Sequence, residues 1–177
     1  AVTIQGLILH LSAGMTPVRE ALRRLIAEGA LEAQGNRRIS VPRLTRANVD
    51  ELIFARQAID PMLVFMATSN ITKADMAALT AEDEALDRAI FAGNIPGYLQ
   101  HNYRFHTMLY DIADAPILRS VALRMWLRFG PSLRVVCGRV GTQNLVDEHK
   151  EVLAAMAEGD AERAAAAIRA DVLQGME

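Results

Sequence analysis

The chain is poor in cysteine, in aromatic residues and in long apolar runs. Cys137 is its only cysteine. No internal disulfide is therefore possible, which suits a reducing cytoplasm and leaves stability to burial. A lone thiol reads first as a small buried hydrophobe and second as a redox sensor. Aromatic residues make up 5% of the 177 positions. Together with plentiful Ala, Leu, Arg and Glu, that shortage favours helix over sheet. No apolar run approaches the ~18 residues of a membrane span. Ala1–Leu9 lacks the basic segment that precedes the apolar core of a signal peptide. The net charge of −2 is too small, and the apolar fraction of 51% too large, for a disordered chain. The length suits one large domain, or a small one plus a medium one.

The charge is unevenly placed. Residues 1–46 hold seven arginines and three glutamates; the remainder holds 12 basic and 18 acidic residues. A basic head on an acidic body points to a polyanionic partner for the head, or simply to a solvated arginine-rich helix.

Thr16–Glu28 has a helical pattern. Thr16 is placed to N-cap it, Pro17 suits the first turn, and Val18, Leu22, Leu25 and Ile26 form an apolar face. Gly29 is a stop signal. Ala30–Gln34 and Arg38–Pro42 flank a Gly35-Asn36 turn and read as a hairpin, whose second strand Pro42 confines to an edge. From Thr45 onward the pattern is helical throughout. Six helices are expected: from Thr45 to about Ser69, from Thr72 to Gly93-Asn94, over Pro96–Ala113, from Asp114 to about Gly138, from Gly141-Thr142, and after Gly159-Asp160. Short connections imply an antiparallel bundle. Pro61 falls inside the first of these and predicts a kink.

On the basic helix, Arg19 and Arg23 are four residues apart and share a face. A helix fits the DNA major groove, and arginine suits the guanine edge. Arg37 and Arg38, at the hairpin tip, are placed for phosphates or the minor groove. Arg24 reads instead as solvated or paired with Glu28. The run Thr16-Pro17-Val18-Arg19-Glu20-Ala21-Leu22-Arg23-Arg24-Leu25, then Glu28-Gly29, resembles the recognition-helix signature of GntR-family transcriptional regulators. Asn36-Arg37 with Ile39-Ser40-Val41 resembles their wing. The resemblance implies direct DNA contact from Thr16 and Arg19, with support from Arg37. Gly14-Met15 replaces the usual Ser-Arg ahead of Thr-Pro, and Arg38 stands where Gly often follows the wing Asn-Arg. Only 15 residues precede Thr16, where the family has two helices. Ala1–Ile8 reads as part of one and Leu9–Ala13 as the end of another, with a piece between them absent.

In the body, Asn102 and His106 are at i and i+4 and point to one side of their helix. His149 follows on the fifth helix and Asp171 on the sixth. Imidazole and carboxylate groups suit zinc, nickel and other first-row divalent ions, although scattered histidines are more often core residues. Residues 46–175 resemble the FCD ligand-binding domain of the FadR subfamily, through Asn102-x-x-Phe105-His106-x-x-Leu109, Glu148-His149 and Gly159-Asp160. That resemblance implies a divalent metal held by Asn102, His106, His149 and Asp171, with Asp171 in the place of a usual histidine. It also implies a small organic acid at the metal's open positions. Arginine suits such a carboxylate, and Arg56 and Arg134 are the candidates. Arg56 either faces inward, where it needs a partner, or outward beside Glu51 or Asp60.

The expected molecule is mainly α: an incomplete winged helix-turn-helix over residues 1–44 and an antiparallel six-helix bundle over 45–177. The expected function is that of a cytoplasmic homodimeric transcription regulator. It would bind a two-fold DNA operator, answer to a small carboxylate beside a zinc or nickel ion, and have no catalytic residues. A metal-dependent enzyme on the bundle, or a helical interaction module without DNA binding, are the rival readings.

Overall fold

The computed structural model describes residues 3–34, 38–140 and 148–176, with side chains except over 132–140. Among these residues the chain forms eight helices and one two-stranded sheet.

Helix α1 (Ile4–Leu11) starts at Thr3, whose hydroxyl accepts the Gly6 N–H, and ends at Ser12 with φ 50°. It runs unbroken across Ile8 and Leu9, so one helix stands where the sequence suggested remnants of two. Helix α2 (Met15–Ala27) is N-capped by Gly14, not by Thr16. Gly14 is extended, and its carbonyl takes the Val18 N–H at 3.3 Å. Thr16 and Pro17 therefore lie within the first turn, where proline's missing N–H still costs nothing. At the other end, Ala30 N–H reaches Leu25 O at 2.9 Å and Gly29 N–H reaches Ile26 O at 3.0 Å. This is the Schellman closure, and Gly29 supplies its left-handed residue at φ +74°.

Strands β1 (Glu32–Gln34) and β2 (Arg38–Ser40) pair antiparallel, with Ala33 opposite Ile39. Both are shorter than the sequence suggested, and Pro42 lies beyond β2 rather than in it. Ile39 turns inward against Val18 and Leu22, with Ile4, Leu7, Ile8 and Leu31 packed around them. Helix, turn, helix and wing thus share one small core.

Six helices follow: α3 (Arg46–Asn70), α4 (Lys73–Phe91), α5 (Ile95–Ile112), α6 (Pro116–Val140), α7 (Glu148–Glu158) and α8 (Ala161–Gln174). Side chains of Thr45, Thr72, Asn94 and Asp160 cap α3, α4, α5 and α8. Pro61 is buried within α3. The main pairings are α3 with α8, α4 with α5 and α7 with α8. Leu63, Val64 and Ala67 of α3, Phe105, Leu109 and Tyr110 of α5, Val152 of α7 and Ile168 of α8 fill the shared core. Each large apolar side chain buried this way contributes about 1.5–3 kcal/mol. Among the described residues no helix is long and apolar enough to cross a membrane.

Candidate metal centre

The bundle interior is not wholly apolar. Arg56, Asp60, Asp83, Asn102, His106 and His149 are all buried in it. Buried charge must be paired, so such a concentration requires an account. Helix α5 carries Asn102 and, one turn later, His106. Helix α7 carries His149 near its start, and α8 carries Asp171. Ligand-type atoms of His106, His149 and Asp171 lie within 4.8 Å of one another. Asp171 stands between the two imidazoles: Oδ2 is 3.0 Å from His106 Nε2, and Oδ1 is 3.5 Å from His149 Nε2. Aromatic rings fix the geometry. Phe105 stacks on His149 at 4.0 Å, and Trp126 lies 5.2 Å from His106.

Burial disfavours the charged form of His106, and this outweighs the help from Asp171, so its pKa falls below the ordinary value. Burial works against the Asp171 charge as well, but His149, His106 and Arg56 overcome it and draw the carboxyl down to about 2. A neutral imidazole beside an ionised carboxylate is the protonation state a metal requires. His106 Nδ1 is buried without a hydrogen-bond partner. Two imidazoles and a carboxylate fit a zinc-like or nickel-like ion, and Asn102 is buried one turn before His106 on the same side of α5.

Arg56 faces inward. Its Nε donates to Asp60 Oδ2 at 2.9 Å, and its Nη2 lies 2.7 Å from the same oxygen. The guanidinium sits over Trp126 and Phe129, 4.6 and 5.7 Å from their centroids. Burial opposes its charge, but Asp60, Tyr110 and Asp171 more than offset this and raise its pKa. The needed partner is thus Asp60, itself inside the bundle rather than on its surface. Tyr110 OH accepts from Trp126 Nε1 at 3.1 Å, and burial pushes the phenol pKa up.

Sequence reasoning passed over Asp83 and considered Asp60 only as an outward-facing neighbour of Arg56. Asp83 of α4 is buried with Oδ1 3.6 Å from His149 Nδ1, and its other oxygen is 3.6 Å from Lys150 Nζ. Spacing held a signal for both. Asp83 falls on the stripe Leu79, Asp83, Leu86, and Asp60 on Arg56, Asp60, Leu63, Ala67.

At the other end of the molecule, Thr16, Arg19 and Arg23 are exposed on α2. Arg23 pairs with Glu20 at 3.3 Å and Arg24 with Glu28 at 3.0 Å. Arg37, the Gly35-Asn36 turn and Gly141-Thr142 lie outside the described residues, as do the side chains of Arg134 and Cys137.

A helix-turn-helix with a two-stranded wing, followed by a six-helix bundle, defines a winged-helix transcriptional regulator. Residues 51–173 match the FCD domain. The chain belongs to the FCD family of GntR-type transcriptional regulators. It is 29% identical over 161 residues to the HTH-type transcriptional regulator McbR of Escherichia coli K12, covering 89% of this chain and 73% of that protein. The solved structure of E. coli McbR/YncC superposes with a TM-score of 0.90 at 28% identity, over 98% of this chain and 82% of that one. A putative GntR regulator from Rhodococcus sp. RHA1 shares the fold, with a TM-score of 0.74 at 17% identity over 94% of this chain and 80% of that one. These relatives are regulators rather than enzymes.

Proposed function

We propose that this chain binds DNA through residues 1–44 and senses a metal-associated small acid through residues 45–177. Helix α2 acts as the recognition helix, with Thr16, Arg19 and Arg23 turned to the major groove and Arg37 reaching from the wing. In the body, Asn102, His106, His149 and Asp171 hold a divalent ion, zinc or nickel by donor type. What the ion supplies is open coordination for the carboxylate of a small organic acid. Arg56 Nε donates to Asp60 and Nη1 reaches Met176 Sδ at 3.8 Å, while Nη2, 2.7 Å from Asp60 Oδ2 but without a hydrogen bond of its own, is the nitrogen offered to that carboxylate; Arg134 is the second candidate. The acid alters operator affinity to the extent that it prefers one arrangement of the heads.

A homodimer on a two-fold operator fits this reading. On α3, Phe54, Met62 and Phe65 recur at helical spacing and are 77%, 52% and 38% exposed. Ile117 and Val121 of the adjoining α6 are also exposed. An apolar strip of this kind suits a second copy of the chain.

The observation that carries the sensing function is the convergence of three ligand-type atoms, from three separate helices, inside the bundle. Elemental analysis of the purified protein is the test. One divalent ion per chain is expected, and His106→Ala and His149→Ala should each abolish it. Stoichiometric metal retained in both variants removes the site and leaves Asp171 as a purely structural bridge.

A further inference from the structure

Helix α6 belongs to the body, yet Arg128 on it reaches the head. Arg128 Nε donates to the carbonyl of Glu28 at 3.2 Å across 100 positions of sequence. Glu28 is the C-cap of α2. Its carbonyl is among those a helix leaves without an internal partner, and the negative end of the helix dipole favours a cation there. The guanidinium lies close against Gly29. A Cβ on that residue would fall 2.3 Å from Arg128 Nη2 and 2.6 Å from Nε. Gly29 therefore serves twice: its φ of +74° closes α2, and its bare Cα admits the arginine.

Beside this contact lies a cleft of about 520 Å³ between head and body, lined by Leu44, Asn48, Leu52, Val121 and Arg124 along with Arg128 itself. Across this cleft the Arg128–Glu28 hydrogen bond is a directional contact between head and body.

The geometry points to Arg128 as the positioning residue that sets the angle at which the body presents α2 to DNA. This rests on the DNA-reading function proposed above. In a dimer, two recognition helices must meet two half-sites at a fixed spacing. Release of the Arg128 clasp frees each head about its linker. That lowers the effective concentration of the second head once the first has bound, without touching the contacts either head makes. The loss belongs to the two-site operator alone.

The test begins with in vitro selection of duplexes by the wild-type protein. The selected two-site duplex is then compared, by fluorescence anisotropy at fixed salt, with a copy in which one half-site is scrambled. Arg128→Ala should bind the two-site duplex roughly fivefold more weakly, the size of one modest hydrogen bond, and the single half-site as wild type does. Arg128→Lys, which keeps a cationic donor for the Glu28 carbonyl, should recover part of the loss. Gly29→Ala introduced into Arg128→Ala should weaken both duplexes alike, through strain in the head, and leave their ratio unchanged. A wild-type ratio in Arg128→Ala, or equal losses on both duplexes, overturns the assignment. Failure of the wild-type protein to enrich any sequence overturns instead the DNA-reading function beneath it.

Discussion

Arg56 and Asp60 form an ion pair, 3% and 0% exposed, one helical turn apart. Removal of one member leaves the other charge buried and alone, so Asp60→Ala should cost about 3–5 kcal/mol in urea unfolding. Replacing both, Arg56→Met with Asp60→Leu, should recover most of that loss. A double variant as unstable as the single one would show that the site tolerates no apolar filling. On α2 the charges divide differently. Arg24 is held by Glu28, while Arg19 makes no ion pair among the described residues. Arg19→Ala should therefore weaken specific DNA binding by about 1–3 kcal/mol, and Arg24→Ala should leave it nearly unchanged. Equal effects in a binding titration would contradict this division. Arg19, His106 and His149 stood out as candidates because each sits in a dense local motif. Asp83 was passed over and Asp60 was read as outward-facing, despite their spacing, because an acidic residue on a helix is taken as solvated until the neighbouring helix is known to cover it.

Helix boundaries were the most legible feature, since caps are local chemistry. Thr72 and Asp75 satisfy each other reciprocally: the Asp75 N–H reaches the Thr72 hydroxyl at 3.2 Å, and the Thr72 N–H reaches the Asp75 carboxylate at 3.0 Å. Thr72→Ala should destabilise the protein by about 1 kcal/mol. The hydrogen bonds from the Thr72 hydroxyl and backbone hold the Asp75 pKa below its ordinary value. A lowered folded pKa stabilises above the unfolded pKa and is lost as pH falls through the folded one. The stability difference between wild type and Asp75→Ala should accordingly be complete at neutral pH and shrink in strong acid. A difference independent of pH would place the effect elsewhere. Thr16 shows how a cap is misread. Thr-Pro is a start signal, but Gly14 two residues earlier already offers an extended backbone and a free carbonyl, so Thr16 is left exposed inside the first turn.

Which helices meet was beyond the sequence. Periodicity gives each helix an apolar face without naming its partner, and α3 finds its main neighbour in α8, from the far end of the chain. That pairing brings Asp171 to the centre, where local spacing offered no reason to expect it. The same limit applies to outward faces. Phe54 belongs to the apolar pattern of α3 yet is 77% exposed. If the strip it begins joins two copies, Phe54→Glu should shift the protein toward monomer in light scattering and lower two-site operator affinity with it. An unchanged mass at micromolar concentration would remove α3 from the interface. Arg128 belongs to this scale too, because its meaning depends on two parts of the chain far apart in sequence.

Trp126 is the chain's single tryptophan. It is buried between Arg56 and the imidazole of His106. All indole emission therefore originates at one spot, against the proposed ligands. Zinc, with a filled d shell, should leave that light largely undimmed, whereas nickel should quench it. If the proposed site takes either ion, the protein carries its own optical probe, able to distinguish the two in solution without any label.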